Sequence, residues 1–266
     1  VWHNQIPDWV TRKGDGSLVS DNTLYRNIFD HISSVAGRYS GKIKGWDVVN
    51  EAILDDGSYR ENDFYKISAE EYIFKSFEIA NKIDPNAELY YNDFSMYKPE
   101  KCDAAIRIAN KILERGLRID GIGLQAHWGL DYPSIDEIET SILKIHEAGF
   151  RVHFTELDID VLPNLWEIEG ADLSDNFKSN DKLNPYKSSL PDSISDLLSD
   201  RYTEIFELFD KHNDKIDRVT FWGLSDGHSW KNDWPAKGRT NYPLLFDREN
   251  NPKKAYKDII MLFNEK

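Results

Sequence analysis

Glu51 and Glu156 carry the most chemistry in this sequence. Each lies in a short apolar or β-branched run that finishes on an acid: Gly45-Trp46-Asp47-Val48-Val49-Asn50-Glu51, and Phe154-Thr155-Glu156-Leu157-Asp158. The exit of a barrel strand is where catalytic groups collect. Two carboxylates facing one another across a sugar-binding cleft are the minimum equipment for cleaving a glycosidic bond. In the retaining form of that reaction they sit about 5–5.5 Å apart, so that one attacks the anomeric carbon while the other protonates the leaving oxygen. The acid must start protonated and the nucleophile ionised, so their surroundings have to differ.

Side chains alternate along a strand, which allows the phase to be checked. Asp47, Val49 and Glu51 share one phase, Gln125 and His127 another, and Phe154, Glu156 and Asp158 a third. Asn92 and Trp222 stand at two further strand exits. A single Glu at a strand end is commonly just solvated or ion-paired; several in-phase polar exits point to a site. Asn50 falls in the opposite phase from Glu51. Both reach one cleft only if the strand bends or bulges there; otherwise Asn50 caps the next loop. His127 and Asp158, where they stand beside Glu156, can supply hydrogen bonds and orientation that keep it charged, and Asp47 is a candidate neighbour of Glu51. His153 is out of phase with Glu156 and reads as structural, while Thr155 and Leu157 should face a helical layer.

A metal site competes with this reading. His3, His127, Asp158 and His228 could line a barrel mouth, and imidazole is a common metal ligand. No two histidines stand at the paired spacings that metallohydrolases use. No catalytic metal or cofactor is therefore expected, and a structural calcium in a loop stays open.

The positioning elements follow from periodicity. Asn22 to Tyr39 is amphipathic, with Leu24, Ile28, Ile32 and Val35 at helical spacing. A strand over 43–50 follows, then a helix from a capping box of Ser68 and Glu71 to about Lys82. Strands are expected over 88–92, 121–127, 152–157 and 218–223, and helices over 101–115, 135–148, 194–212 and 253–263. Strict alternation implies parallel strands covered by helices. Polar groups at strand exits favour a (β/α)8 TIM barrel over an open doubly wound sheet, which no glycine-rich phosphate loop supports. The polar stretch from Pro163 to Asp192 reads as a cleft loop or a linker, and Trp166 with Leu183-Asn184-Pro185-Tyr186 favours the ordered loop.

Composition narrows the classes of partner. Lys and Arg number 33 against 47 Asp and Glu, a net charge of −14, which disfavours nucleic acid and anionic membranes. The 8 Trp and 13 Tyr suit stacking on sugar faces, although many such rings simply fill cores. Cys102 is the only cysteine, so an intrachain disulfide is impossible. No apolar run approaches spanning length.

These motifs resemble glycoside hydrolase family ten, the β-1,4-xylanases, over the whole chain. Trp2-His3-Asn4-Gln5-Ile6-Pro7-Asp8-Trp9-Val10 is similar to the family's third-strand segment, and Trp46 to Glu51 to its acid/base motif. Tyr91-Asn92-Asp93, Gly123 to Trp128, Thr155 to Asp158, Leu183 to Tyr186, Thr220 to Gly223 and Asn241 to Asp247 follow in the family's order. The resemblance implies an endo-1,4-β-xylanase that retains anomeric configuration, with Glu51 as acid/base and Glu156 as nucleophile. It implies that Trp2, Asn50, Gln125 and His127 reach the glycone sugar next to the cleavage point, with His127 bridging Glu156 and Asp158. Trp222 and Trp230 would form an aromatic wall, and Tyr91 and Asn92 would lie towards the leaving group.

The resemblance also implies xylan or xylo-oligosaccharide as the partner, no cofactor, and a location outside the cytoplasm: secreted, periplasmic or cell-surface. Residues 1–266 would form one catalytic domain, running from about strand 3 to helix 8 of the barrel. The first two strands would come from an N-terminal barrel segment in the same or another chain, and a carbohydrate-binding module could accompany them. The alternative is a catalytically incomplete chain that binds plant polysaccharide through its aromatic cleft.

Overall fold

The computed structural model describes residues 1–163, 183–235 and 237–264. Trp166 and most of the polar stretch lie outside them. The chain divides into two compact units: Val1–Gln125 with Thr140–His153, and Ala126–Glu139 with Phe154–Lys266.

In the first unit, strands β1 (Gly45–Asn50), β2 (Glu88–Asp93) and β3 (Gly121–Leu124) pair in parallel. Helix α1 (Asp21–Tyr39) starts at Ser20, whose hydroxyl accepts from the Thr23 amide, satisfying one donor that the first turn leaves free. Its buried stripe is Leu24, Ile28, Ile32 and Ala36. Val35 was expected on that stripe but is exposed. A run of three i,i+4 steps from Leu24 arrives at Ala36, and Val35 lies a residue's rotation away.

The expected capping box also fails. Ser68 ends a separate short helix α2 (Asp63–Ser68), with its hydroxyl on the Phe64 carbonyl at 3.3 Å, and Ala69 turns the chain at φ 50°. Helix α3 (Glu71–Ile83) begins only after that turn, without a side-chain cap. A capping box does form at α5 (Ile135–Glu147): the Ser134 amide donates to Glu137 at 2.8 Å, and the Glu137 amide to the Ser134 hydroxyl at 3.3 Å. Helix α4 (Pro99–Glu114) carries proline in its first turn, where no amide hydrogen is needed.

Close packing of β2 on β3 explains one glycine. A Cβ on Gly121 would stand 2.6 Å from the Arg151 carbonyl and 2.6 Å from the Tyr90 ring. His153 is buried edge-on to Tyr90, at 5.2 Å between ring centroids, so its structural reading fits.

In the second unit, β4 (His127–Gly129) pairs in parallel with β5 (Arg151–Asp160) through His127↔Asp158 and Trp128↔Ile159. Strand β6 (Ile216–Phe221) also pairs with β5. Helices α6 (Asp192–Lys211) and α7 (Lys254–Asn264) are tied by the Ser199 hydroxyl on Asp258 at 2.7 Å. The apolar centre is aromatic: Phe154 stacks on Phe209 of α6 at 4.3 Å, and Trp128 meets Phe154 edge-on at 5.7 Å.

Three expectations of strand phase are corrected here. The single strand 121–127 is two strands, because Ala126 takes φ 63° and breaks the alternation between Gln125 and His127. Asp47 does not share a face with Val49: the β1–β2 register slips between them, so Val48 and Val49 are both buried while Asp47 is exposed. Phe154 is not on the Glu156 side, since it packs with Trp128 and Phe209 whereas Glu156 meets His127. Among the described residues, no helix is long and apolar enough to cross a membrane.

Candidate active site

The candidate residues form two constellations, one in each unit. In the first, Glu51 lies immediately past the end of β1 with φ 58°, a left-handed conformation that a side-chain-bearing residue rarely adopts. This turn follows the Asp47/Val49 bulge, and together they resolve the phase conflict between Asn50 and Glu51. The Asn50 amide donates to Glu51 Oε1 at 3.2 Å, so both side chains serve one site and Asn50 is not merely a loop cap.

Two more donors complete the cradle of the Glu51 carboxylate. Trp2 Nε1 donates to Oε2 at 2.9 Å, and Gln125 Nε2 donates to Oε1 at 3.0 Å. Gln125 Nε2 also lies 3.2 Å from Asn50 Oδ1, which accepts from Asn92 Nδ2 at 2.9 Å. The groups that donate to the Glu51 carboxylate among the described residues are thus neutral amides and an indole. A short parallel bridge pairs Trp2 with Asn50, which brings the indole to the end of β1.

Tyr91 departs from its expected place towards the leaving group. It is fully buried, its hydroxyl donating to Asp93 Oδ2 at 2.6 Å and accepting from the Ala52 amide at 3.0 Å. Its position inside β2, beside β1, turns the ring into the core. Asn92 is also buried, and its amide orients Asn50.

In the second unit, His127 stands between two carboxylates. Its Nδ1 is 2.9 Å from Asp158 Oδ1 and its Nε2 is 3.2 Å from Glu156 Oε2. With a hydrogen on each ring nitrogen His127 donates to both carboxylates, and it is then an imidazolium. Burial works against that charge. The Asp158 carboxylate, with hydrogen bonds to Asp158 and Glu156, outweighs it and raises the histidine to about 9. Asp158 is itself buried, which would raise it, but His127 and Lys231 draw it below the usual carboxylate range.

Asp158 is the hub of this group. Trp230 Nε1 donates to its Oδ2 at 2.8 Å, and the Lys231 ammonium lies 3.5 Å from its Oδ1 and 3.7 Å from Asp160. The Trp230 ring also tilts against His127 at 4.9 Å. Trp222 donates its backbone amide to the Leu157 carbonyl at 3.1 Å, and its side chain stays 46 % exposed. Sequence reasoning missed Lys231, whose one signal is adjacency to Trp230. It also missed Arg60, whose Nε donates to the Glu51 carbonyl at 3.1 Å; nothing in the sequence sets Arg60 apart from any other loop arginine. No group of three or more His, Cys, Asp or Glu residues able to hold a metal occurs among the described residues.

An alternation of parallel strands and helices, ending in two differently furnished carboxylates, is the equipment of a sugar-cleaving barrel enzyme. The model of glycosyl hydrolase family 10 matches residues 1–262, and the chain belongs to that family. It is a glycoside hydrolase of the (β/α)8 barrel class. Its relatives include endo-1,4-beta-xylanase A of Xylanibacter ruminicola, 45 % identical over 99 % of this chain and 71 % of that protein. Another is an endo-1,4-beta-xylanase of Geobacillus stearothermophilus, 37 % identical over 98 % of this chain and 74 % of that protein. Among solved structures, a family 10 endoxylanase retrieved from sugarcane soil metagenome superposes with a TM-score of 0.90. It is 44 % identical, with 98 % of this chain and 74 % of that one covered.

Proposed function

We propose that Glu51 and Glu156 cleave xylan together by double displacement with retention. The chain is an endo-1,4-β-xylanase, cutting β-1,4-xylosidic bonds within the polymer. The observation that carries the division of labour is the contrast between the two carboxylates. Glu156 has an imidazolium as hydrogen-bond partner, which suits a nucleophile that must be anionic. The Glu51 carboxylate is met by neutral donors, which suits a group that gives up and regains a proton each turnover.

In the first step Glu156 attacks the anomeric carbon, the glycosidic C–O bond breaks, and the Glu51 proton goes to the departing oxygen. In the second, Glu51 takes a proton from water, the water oxygen bonds to the anomeric carbon, and Glu156 leaves with the electron pair. Asp158, Trp230 and Lys231 hold His127 in place. Trp2, Asn50 and Gln125 grip the glycone sugar as well as Glu51, and Trp222 offers a ring face for stacking. Residues 1–266 act as one catalytic domain. Xylan is too large to cross a membrane, so the enzyme works outside the cytoplasm, as a secreted, periplasmic or cell-surface protein.

The test is the anomeric proton of the first product. Hydrolysis of xylohexaose followed by NMR should show the β-anomer first, with the α-anomer growing in only by mutarotation. An α-anomer at the outset would mean inversion and would overturn the covalent route.

A further inference from the structure

We propose that Arg60 and Tyr91 are positioning residues for the acid/base, holding Glu51 in its left-handed turn; this rests on the acid/base reading of Glu51. A non-glycine residue at φ 58° sits in a sparsely populated region. Such a conformation persists only when its surroundings over-determine it. Here both flanking peptides are tied. The Glu51 amide donates to the Asn92 carbonyl at 3.0 Å, and the Glu51 carbonyl accepts from Arg60 Nε at 3.1 Å. The next amide, that of Ala52, donates to the Tyr91 hydroxyl at 3.0 Å. The Ala52 carbonyl accepts from the Arg60 amide at 2.8 Å.

Tyr91 cannot swing away. Its hydroxyl donates to Asp93, and Asp93 is paired with the fully buried Lys101 at 2.9 Å. Lys101 in turn lies 3.1 Å from Asp55 and 3.5 Å above the Phe94 ring. The Ala52 amide is buried, so its partner has to come from within the protein, and this chain supplies it. Its effect is to fix the direction in which the Glu51 side chain leaves the backbone. Neither Arg60 nor Tyr91 touches the Glu51 carboxylate, so their influence is on its aim. General-acid catalysis needs the proton within hydrogen-bond reach of the leaving oxygen, and a misplacement of about 1 Å can cost on the order of 100-fold.

The experiment uses aryl β-xylobiosides, with kcat/KM read for a phenyl leaving group, which needs protonation, and a dinitrophenyl one, which does not. Tyr91→Phe and Arg60→Met are compared with Glu51→Gln. We expect each positioning variant to lose about 10-fold or more on the phenyl substrate. On the dinitrophenyl substrate kcat/KM should stay within about 2-fold of the parent, while kcat and KM fall together because a misaimed base slows the second step. Arg60→Lys, which keeps one donor, should recover part of the loss. Equal losses on both substrates, or none on either, would overturn the proposal. Should Tyr91→Phe fail to fold, the half-exposed Arg60 pair decides alone. If Glu51→Gln itself shows no leaving-group dependence, it is the acid/base assignment that falls.

Discussion

Asn50 and Glu51 are consecutive residues whose side chains meet, Nδ2 to Oε1 at 3.2 Å. In a regular strand they would point to opposite faces. The β1 bulge and the left-handed Glu51 turn bring them together. The same geometry lets Gln125 Nε2 address both at once. On the proposed mechanism, Asn50, which shares the Gln125 donor with Glu51, can hold a sugar hydroxyl beside the glycosidic oxygen that receives the proton.

Replacing Glu156, the nucleophile we propose, separates chemistry from binding. Glu156→Ala should lower kcat on xylan by roughly 10⁴-fold or more, as loss of a covalent catalyst does. Binding of xylo-oligosaccharides measured by calorimetry should stay within a few-fold of the parent. Residual turnover near the parent level would place the nucleophile elsewhere.

The His127 bridge makes alkaline pH the vulnerable side. Its folded-state value of about 9 lies above the ordinary 6.5. A raised histidine contributes stability that is fully present below about pH 6.5 and is lost as pH rises through about 9. The contribution is on the order of a few kcal/mol. Chemical denaturation at pH 6 and pH 10 should therefore show a larger loss for the parent than for His127→Asn, and the alkaline limb of kcat/KM should move in that variant.

Exposed Trp222 invites a different outcome. With nearly half of the residue open to solvent and its backbone held by Leu157, Trp222→Ala should raise KM several-fold. Thermal stability should change by no more than about 0.5 kcal/mol, the usual range for surface substitutions. A melting temperature that falls with activity would assign the ring to packing.

Gly121→Ala tests the β2–β3 junction. The new methyl would press on the Arg151 carbonyl and the Tyr90 ring, and overpacking of this kind costs about 1–3 kcal/mol. Urea unfolding should show that loss. Activity per folded molecule should hold, since the clash lies at the start of β3 and Gln125 beyond its end.

How far the sequence reached can be judged residue by residue. The family, the barrel class and the order of strands and helices were legible, because hydrophobic period and motif order are local properties of the chain. The pairing of His127 with Glu156 and Asp158 came only with the resemblance to the family, and the β4–β5 register that sets those groups at one level is a tertiary fact. Backbone departures from regular geometry were not legible. Nothing local announces the slip between Asp47 and Val49 or the left-handed turns at Glu51 and Ala126. The first two brought Asn50 to the acid. Tyr91 shows the same limit: its motif matches the family's, but its depth in the core was decided by which strand packs beside it. Lys231 and Arg60 gained their roles from contacts across 73 and nine positions of chain respectively. Residue type and spacing fix which chemistry is available, and only tertiary packing fixes which group each donor meets.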